Sequence, residues 1–242
     1  MIEKNKRTLI KTISWRLLGF SILSLISYFV VGSIKEVGII AIGYHGMMLC
    51  LYFLHERVWN KFSWGKTSGL FIQMTGMSGA GKTTLAMALK KRLQKKGLNV
   101  EIIDGDEYRK ELCEDLGFSR EDREENIKRL SFVGKVLGRN NVICIMSAIN
   151  PYNSTREEVK RKNLNSKMVY IKCSQEELMA RDTKGLYKRA LLEDGHPDKV
   201  YNFTGISDPF DEPINADLTI ETDKEDVSSS IEKLEKFIIT NI

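Results

Sequence analysis

A chain of 242 residues, 42% hydrophobic and 29% charged, has room for one ordinary domain and a smaller appendage, and its composition excludes a wholly disordered, collagenous or low-complexity protein. The formal charge of +5 is unevenly placed: residues 1–66 hold nine Lys and Arg against three Asp and Glu, whereas residues 67–242 hold 28 against 29. The larger part is therefore nearly neutral and lacks a basic stripe, which argues against nucleic acid as a partner.

Two runs without formal charge come first, Leu17 to Ile34 and Val37 to Leu54, separated by Lys35-Glu36. At 1.5 Å per residue each spans about 27 Å, close to the ~30 Å hydrocarbon layer of a bilayer. The expected element is an all-α transmembrane hairpin, crossing at about 17–34 and 37–54 and making residues 1–66 a membrane anchor. Lys4, Lys6, Arg7, Lys11 and Arg16 precede the first run, and Arg57, Lys61 and Lys66 follow the second. The positive-inside rule then puts both termini, and everything after residue 66, on the cytoplasmic side. Trp15, Tyr52, Trp59 and Trp64 sit where interfacial aromatics belong. No small-residue cleavage site separates the runs, so the segment is expected to be retained. His45, a lone polar group in the second run, reads as a contact between helices. Lys11-Thr-Ile-Ser-Trp-Arg16, Gly32-Ser-Ile-Lys35 and Leu54-His-Glu-Arg-Val-Trp59 resemble an uncharacterised family of two-helix bacterial membrane domains over residues 7–65. The resemblance implies the lipid bilayer as a partner and supplies no activity.

After Gly69 the pattern changes to short apolar strands alternating with amphipathic helices, an α/β signature. Leu70 to Thr75 reads as a buried strand and Thr83 to Lys96 as a helix. Between them Gly76-Met-Ser-Gly-Ala-Gly81-Lys82-Thr83 matches the phosphate-binding loop G-x-x-x-x-G-K-[ST] without substitution and in its strand-loop-helix context. Glycines allow backbone N–H groups to turn around a β-phosphate, the helix N-terminus favours negative charge, Lys82 neutralises β/γ oxygens, and Thr83 is placed to ligate Mg²⁺. Gly76, Ser78, Gly79, Ala80, Gly81, Lys82, Thr83 and Thr84 are the predicted ATP contacts. Further strands are expected at Asn99–Ile103, Asn141–Ser147, Lys167–Cys173 and Asp217–Glu221, completing a P-loop kinase fold with five parallel strands over residues 67–242. Ser119 and Ser174 read as capping-box residues, and a last helix, about Glu225 to Ile239, presents Ser228-Ser-Ser230 as a solvated face. Cys50, Cys113, Cys144 and Cys173 are far apart and lack metal-ligand spacing with any histidine, so they read as reduced structural thiols rather than a zinc site.

A phosphate loop alone does not choose among motors, switches and kinases. No N-K-x-D guanine-reading signature occurs, and the strand Val142 to Met146 ends in Ser147-Ala148 rather than in an acid. Both absences favour a small-molecule kinase. Asp104-Gly-Asp106 follows the second strand, at the end that faces the ligand crevice in an open α/β sheet. Two carboxylates there can divide the labour, one organising Mg²⁺ and the other orienting an acceptor hydroxyl. Lys82, Asp104 and Asp106 are the predicted catalytic residues, with Thr83 and Asp106 as metal candidates and the division of roles between the two aspartates open. Arg181, Lys184, Lys188 and Arg189 lie in a Gly-containing segment that reads as a lid over the phosphates, Arg181 toward ATP and Lys184 toward the acceptor.

From Phe71 to about Thr222 the chain resembles the adenylyl-sulfate kinases. The resemblance is carried by the phosphate loop, Asp104-Gly-Asp106, Asp115-Leu-Gly-Phe118-Ser-Arg-Glu-Asp-Arg123-Glu-Glu-Asn126, Lys184-Gly-Leu-Tyr-Lys188, and Asn202-Phe-Thr-Gly-Ile206 with Asp208-Pro. It implies transfer of the ATP γ-phosphate to the ribose 3′-hydroxyl of adenosine 5′-phosphosulfate, with Mg²⁺, for sulfate activation. It also implies Arg109, Arg123, Asn126 and Ile149 as substrate contacts, with Phe118 and Phe203 around the adenine. A homodimer is ordinary for that family, and a transporter or sulfate-pathway enzyme would be a natural partner for a membrane-held member. Three departures bear on the acceptor. Asn150 stands before Pro151-Tyr152 where the family often has serine, which excludes a phosphoenzyme there. Glu107 and Glu111-Leu-Cys113 add negative charge near an anionic substrate's expected place. The lid carries extra residues, Leu191 to Lys199. A related nucleotide as acceptor, or a membrane-bound nucleotide sensor without turnover, are the alternatives.

Overall fold

The computed structural model describes residues 10–15, 17–19, 22, 34–62, 69–163 and 165–242, which divide into two compact units, 1–67 and 68–242. In the first unit, helix α1 (Ile34–Lys61) runs for 28 residues, and residues 10–15 and 17–19 are also helical. Lys11 Nζ meets Glu56 Oε1 at 3.1 Å, Ser14 Oγ lies 3.0 Å from His55 Nε2, and Trp15 packs edge-on to Tyr52 at 5.0 Å. A Cβ at Gly19 would collide with the Met48 side chain. Partner numbers fall as the first segment's numbers rise, so the two stretches are antiparallel, as in a hairpin. Most of the first apolar run, the basic residues before Lys11, Arg16, the side chain of His45, and Trp64 and Lys66 lie outside the described residues. Among the described residues no helix is long and apolar enough to cross a membrane, so the expected double crossing goes beyond what the structure contains.

The second unit is a parallel sheet covered on both faces. Strands β1 (Leu70–Thr75), β2 (Val100–Asp104), β3 (Ile143–Ser147), β4 (Ser166–Lys172) and β5 (Leu218–Glu221) lie in the order β2-β3-β1-β4-β5. Every pairing is parallel. Helices intervene: α2 (Lys82–Gln94), α3 (Gly105–Arg109), α4 (Arg120–Arg139), α5 (Asn153–Lys162), α6 (Gln175–Arg181), α7 (Leu186–Ala190) and α8 (Val227–Thr240). Alternation along β1 divides the core. Leu70, Ile72 and Met74 join Leu85, Leu89, Leu93, Leu234 and Ile238 under α2 and α8, while Phe71 joins Ile127, Leu130 and Val159 under α4 and α5. Helix α4 approaches closely enough that a Cβ at Gly134 would collide with the buried Phe71 ring.

Strand limits differ from expectation by at most two residues, and β1 matches it. Ser119 caps α4 by accepting from Asp122 N at 3.1 Å. Ser174 does not cap α6 with its side chain; its own N–H donates to Asp223 Oδ2 at 2.9 Å. The Ser228–Ser230 run is not wholly solvated, because Ser230 is buried and its hydroxyl donates to Asp226 O at 3.0 Å. Cys113, Cys144 and Cys173 are buried free thiols, and Cys50 is exposed in its unit.

Candidate functional site

Strand β1 ends at Thr75, and the chain turns through Gly79 (φ 78°) and Gly81 (φ 95°) before α2 begins at Lys82. Both angles are left-handed, which glycine adopts without Cβ strain. Gly81 occupies the N-cap with no side-chain cap bond, so no capping side chain competes with a ligand for the first N–H groups of α2. The Lys82 side chain folds across the loop and donates to the carbonyls of Gly76 (2.8 Å) and Met77 (2.9 Å). Burial lowers its pKa from 10.5 to about 8; Asp106 opposes that shift, Lys184 adds to it, and Asp104 opposes it.

The two aspartates occupy different places. One Asp104 oxygen accepts from Asp106 N at 2.9 Å and caps α3, and the other accepts from Thr83 Oγ1 at 2.7 Å. Ser147 Oγ, at the end of β3, lies 3.2 Å from the Thr83 hydroxyl. Asp104, Thr83 and Ser147 thus form a hard, all-oxygen corner beside the phosphate loop. Such a donor set suits Mg²⁺, which takes one or two protein oxygens and completes its shell with phosphate and water. Asp106, two residues further on, is exposed and ion-paired with Lys184 from the segment before α7.

A cavity of about 520 Å³ opens from this corner. Along one wall the Arg109 guanidinium lies over the Phe118 ring, 4.5 Å from its centroid, and donates to the carbonyls of Leu116 and Gly117. Burial, then the neighbouring charge of Arg123, lowers the Arg109 pKa. Arg123 donates to Phe118 O (3.1 Å), to Thr204 Oγ1 (2.9 Å) and to Asn202 O. That guanidinium ties the start of α4 to the loop after α7. Asn126, also on α4, is buried, and its Oδ1 has no partner. Opposite, buried Phe203 packs edge-on to Tyr187 at 4.9 Å, and the Tyr187 hydroxyl donates to Ser78 O at 3.0 Å. Phe118 is 59% exposed and Phe203 only 7%, so the first ring has a free surface and the second is packed in among its neighbours.

Most residues singled out from sequence line this cavity: Ser78, Gly79 and Gly81 to Thr84, both aspartates, Arg109, Phe118, Arg123, Asn126, Ile149, Lys184 and Phe203. Gly76, Ala80 and Arg181 do not. Gly76 N donates to Ile149 O at 3.3 Å, the Ala80 carbonyl accepts from Thr222 Oγ1 at 3.0 Å, and Arg181 is turned to Thr222 O (2.8 Å) and Glu177 (2.9 Å). Glu107 and Glu111 do not line it either, and neither do residues 191–199. The acidic departures therefore do not place charge on the cavity wall. Asn150 is buried at φ 43° with its amide donating to Gln73 Oε1 at 3.2 Å. Sequence reasoning missed Ser147, Tyr187 and Tyr201. The strand-end rule that selected Asp104 applies equally to Ser147, and Tyr187 lies within the Lys184–Lys188 motif, whereas Tyr201 carries no local signal.

Beneath the site lies Arg156, 1% exposed, donating to Asn150 O (2.9 Å), Pro151 O (3.0 Å), Thr75 Oγ1 (3.2 Å) and Asn153 Oδ1 (2.7 Å). Burial pushes its pKa down to about 10, and four neutral oxygens satisfy a charge that would otherwise be stranded.

The adenylylsulphate kinase family model matches residues 68–221, and a model described as a predicted membrane protein (DUF2061) matches residues 9–60. The adenylyl-sulfate kinase of Picosynechococcus sp. is 45% identical over 168 residues, covering 69% of this chain and 92% of that one. That of Chloroflexus aurantiacus is 46% identical over 156 residues, covering 64% and 81%. Among solved structures, the Mycobacterium tuberculosis APS kinase in complex with AMPPNP and APS superposes with a TM-score of 0.65 at 31% identity, covering 71% of this chain and 98% of that one. A hexameric APS kinase from Thiobacillus denitrificans gives 0.51 at 25% identity, covering 70% and 28%.

Proposed function

The chain belongs to the adenylylsulphate kinase family, and from that premise we propose that it transfers the γ-phosphoryl group of ATP to the ribose 3′-hydroxyl of adenosine 5′-phosphosulfate while held at a membrane by its N-terminal hairpin. The observation that carries the reading is the separate placement of Asp104, bonded to Thr83 beside the loop, and Asp106, paired with Lys184 on the same cavity.

In this reading Mg²⁺ neutralises the β/γ oxygens when bound, held through Thr83 and Asp104 with Ser147 beside them. Of the two role assignments that the sequence leaves open, this one gives the metal to Asp104 rather than Asp106. Lys82 and the N–H groups at the start of α2 stabilise charge on the transferring group. Asp106 accepts the proton of the 3′-hydroxyl as that oxygen bonds to phosphorus and the bond from phosphorus to the β–γ bridging oxygen breaks, leaving ADP. Arg109 and Arg123 face the anionic phosphosulfate, and the base lies between Phe118 and Phe203. Lys184 leaves Asp106 for phosphate when the lid comes down, excluding water.

The test uses the full chain in detergent micelles with ATP, Mg²⁺ and adenosine 5′-phosphosulfate. ADP and 3′-phosphoadenylyl sulfate should appear together, and Lys82→Ala should lower the rate about a thousandfold. Transfer to a different nucleotide alone would refute the acceptor. For the anchor, the native chain should remain in the membrane pellet after an alkaline carbonate wash, and release into the supernatant would refute it. The DUF2061 match and the antiparallel packing of residues 10–15 and 17–19 on α1 support the membrane reading.

A further inference from the structure

Residues 191–199 form a loop bonded mainly to itself. Its ends are joined where Val200 N donates to Arg189 O (3.2 Å) and Arg189 Nε donates to Asp198 O (3.0 Å). Inside, Asp198 N donates to His196 Nδ1 (3.1 Å) and Lys199 N to His196 O (3.0 Å). The Lys199 ammonium is 2.7 Å from Asp194 and donates to Leu192 O at 2.6 Å. Although none of these nine residues reaches the cavity, they converge on one that does. Lys199 Nζ sits over the Tyr201 ring, 5.5 Å from its centroid, and Gly195 N donates to the Tyr201 hydroxyl at 3.2 Å. Tyr201 lines the cavity two residues before Phe203 and is 55% exposed.

A half-exposed tyrosine at a cavity mouth ordinarily samples several rotamers. Here one ring face is taken by an ammonium ion and the hydroxyl is held by a backbone N–H, while the remaining surface is left to the cavity. A ring ordered in this way before the ligand arrives loses little side-chain entropy on contact, the condition under which aromatic stacking contributes most. Because Lys199 is itself fixed by Asp194 and Leu192, the ring's orientation is inherited from the loop.

We propose that Tyr201 is a specificity-determining contact for the nucleoside of the acceptor, and that residues 191–199 act as a brace holding its ring against that nucleoside. The proposal rests on the nucleotide-acceptor reading above and adds the residue that discriminates among nucleotides. It involves no chemical step, so it acts on acceptor KM and on selectivity rather than on turnover.

The experiment is a kinetic panel on the full chain with saturating MgATP and, as acceptors, adenosine 5′-phosphosulfate, AMP, CMP and UMP, comparing wild type, Tyr201→Ala, Tyr201→Phe and Asp194→Ala. Tyr201→Ala should raise KM for the acceptor turned over by about tenfold, narrow the preference between acceptors, and leave ATP KM and kcat within about twofold. Tyr201→Phe keeps the ring and should restore most of the selectivity. Asp194→Ala lies outside the cavity and should reproduce part of the Tyr201→Ala effect by loosening the brace. An acceptor KM changed less than twofold by Tyr201→Ala, or an equal rise in ATP KM, overturns the proposal. If wild type turns over another panel member and not adenosine 5′-phosphosulfate, the named acceptor fails, and the Tyr201 comparison on the member used still decides this proposal. If wild type turns over none of them, both fall.

Discussion

Raising the pH should disarm the phosphate loop before it harms the fold. The unliganded chain holds Lys82 with a pKa of about 8 against an ordinary 10.5, chiefly through burial. A bound triphosphate supplies the negative charge that burial withholds and returns the ammonium toward its ordinary value. Proton linkage between those two states leaves ATP affinity nearly level below pH 8 and weakens it about tenfold per unit above, so Kd should rise roughly tenfold between pH 7.5 and 9. Isothermal titration of the full chain with MgADP or MgAMPPNP across pH 7.5–9.5 reads this directly. Lys82→Arg supplies the control, since a guanidinium does not titrate in this range and its curve should be flat. A wild-type Kd that stays constant over that interval, or the same slope in Lys82→Arg, would show that the loop lysine is not what the pH acts on.

The same group contributes to stability with the opposite trend. Its folded pKa lies below its unfolded one, so the unfolded chain binds more protons between pH 8 and 10.5, and the penalty of the buried ammonium, about 3 kcal/mol, is fully present below pH 8 and lost as pH rises through that window. Urea melts at pH 7.5 and 10, which cover most of that window, should therefore differ by about 2 kcal/mol more in wild type than in Lys82→Met, and equal increments would refute it. Asp104→Asn keeps an oxygen to cap α3 but removes the anion beside Thr83; the Mg²⁺ concentration for half-maximal rate should rise more than tenfold with an unchanged melt, and an unchanged Mg²⁺ dependence would count against the metal assignment. Gly134→Ala drives a methyl into the buried Phe71 ring and should lower unfolding free energy by about 1–3 kcal/mol while leaving acceptor KM alone; a neutral denaturation curve would mean that α4 moves away freely.

How far the sequence carried depends on the range of the interaction involved. Leu70 to Thr75 is an uninterrupted strand-like run next to a glycine, and both of its limits were legible. The phosphate loop was legible because its function fixes residue types at fixed spacing. The five-residue helix α3 was not, since Gly105 opens it and Asp104, singled out only as a strand-end carboxylate, turns out to cap it. That small helix also decides where side chains go: Asp106 and Arg109 reach the cavity whereas Glu107 and Glu111 do not. Ser174 fits the capping pattern, but Asp223, 49 positions away, occupies the adjacent N–H, a competition that no local window contains. The places of Asp104 and Asp106 likewise depend on Thr83 and Lys184, distant in sequence. Arg123, an ordinary surface charge by composition, became informative through the family resemblance, and the structure adds its bonds to Asn202 and Thr204.

One guanidinium leaves the cleft with unequal banks. Arg156 grips the residue that enters the phosphate loop and, at the same time, Asn150, Pro151 and Asn153 after β3, so the floor and its adjoining side form a single block. Any narrowing around a ligand then falls to the far bank, residues 183–205, swinging toward a stationary abutment. Structures in different ligand states should superpose closely on residues 70–84 and 147–156 and diverge on that far bank.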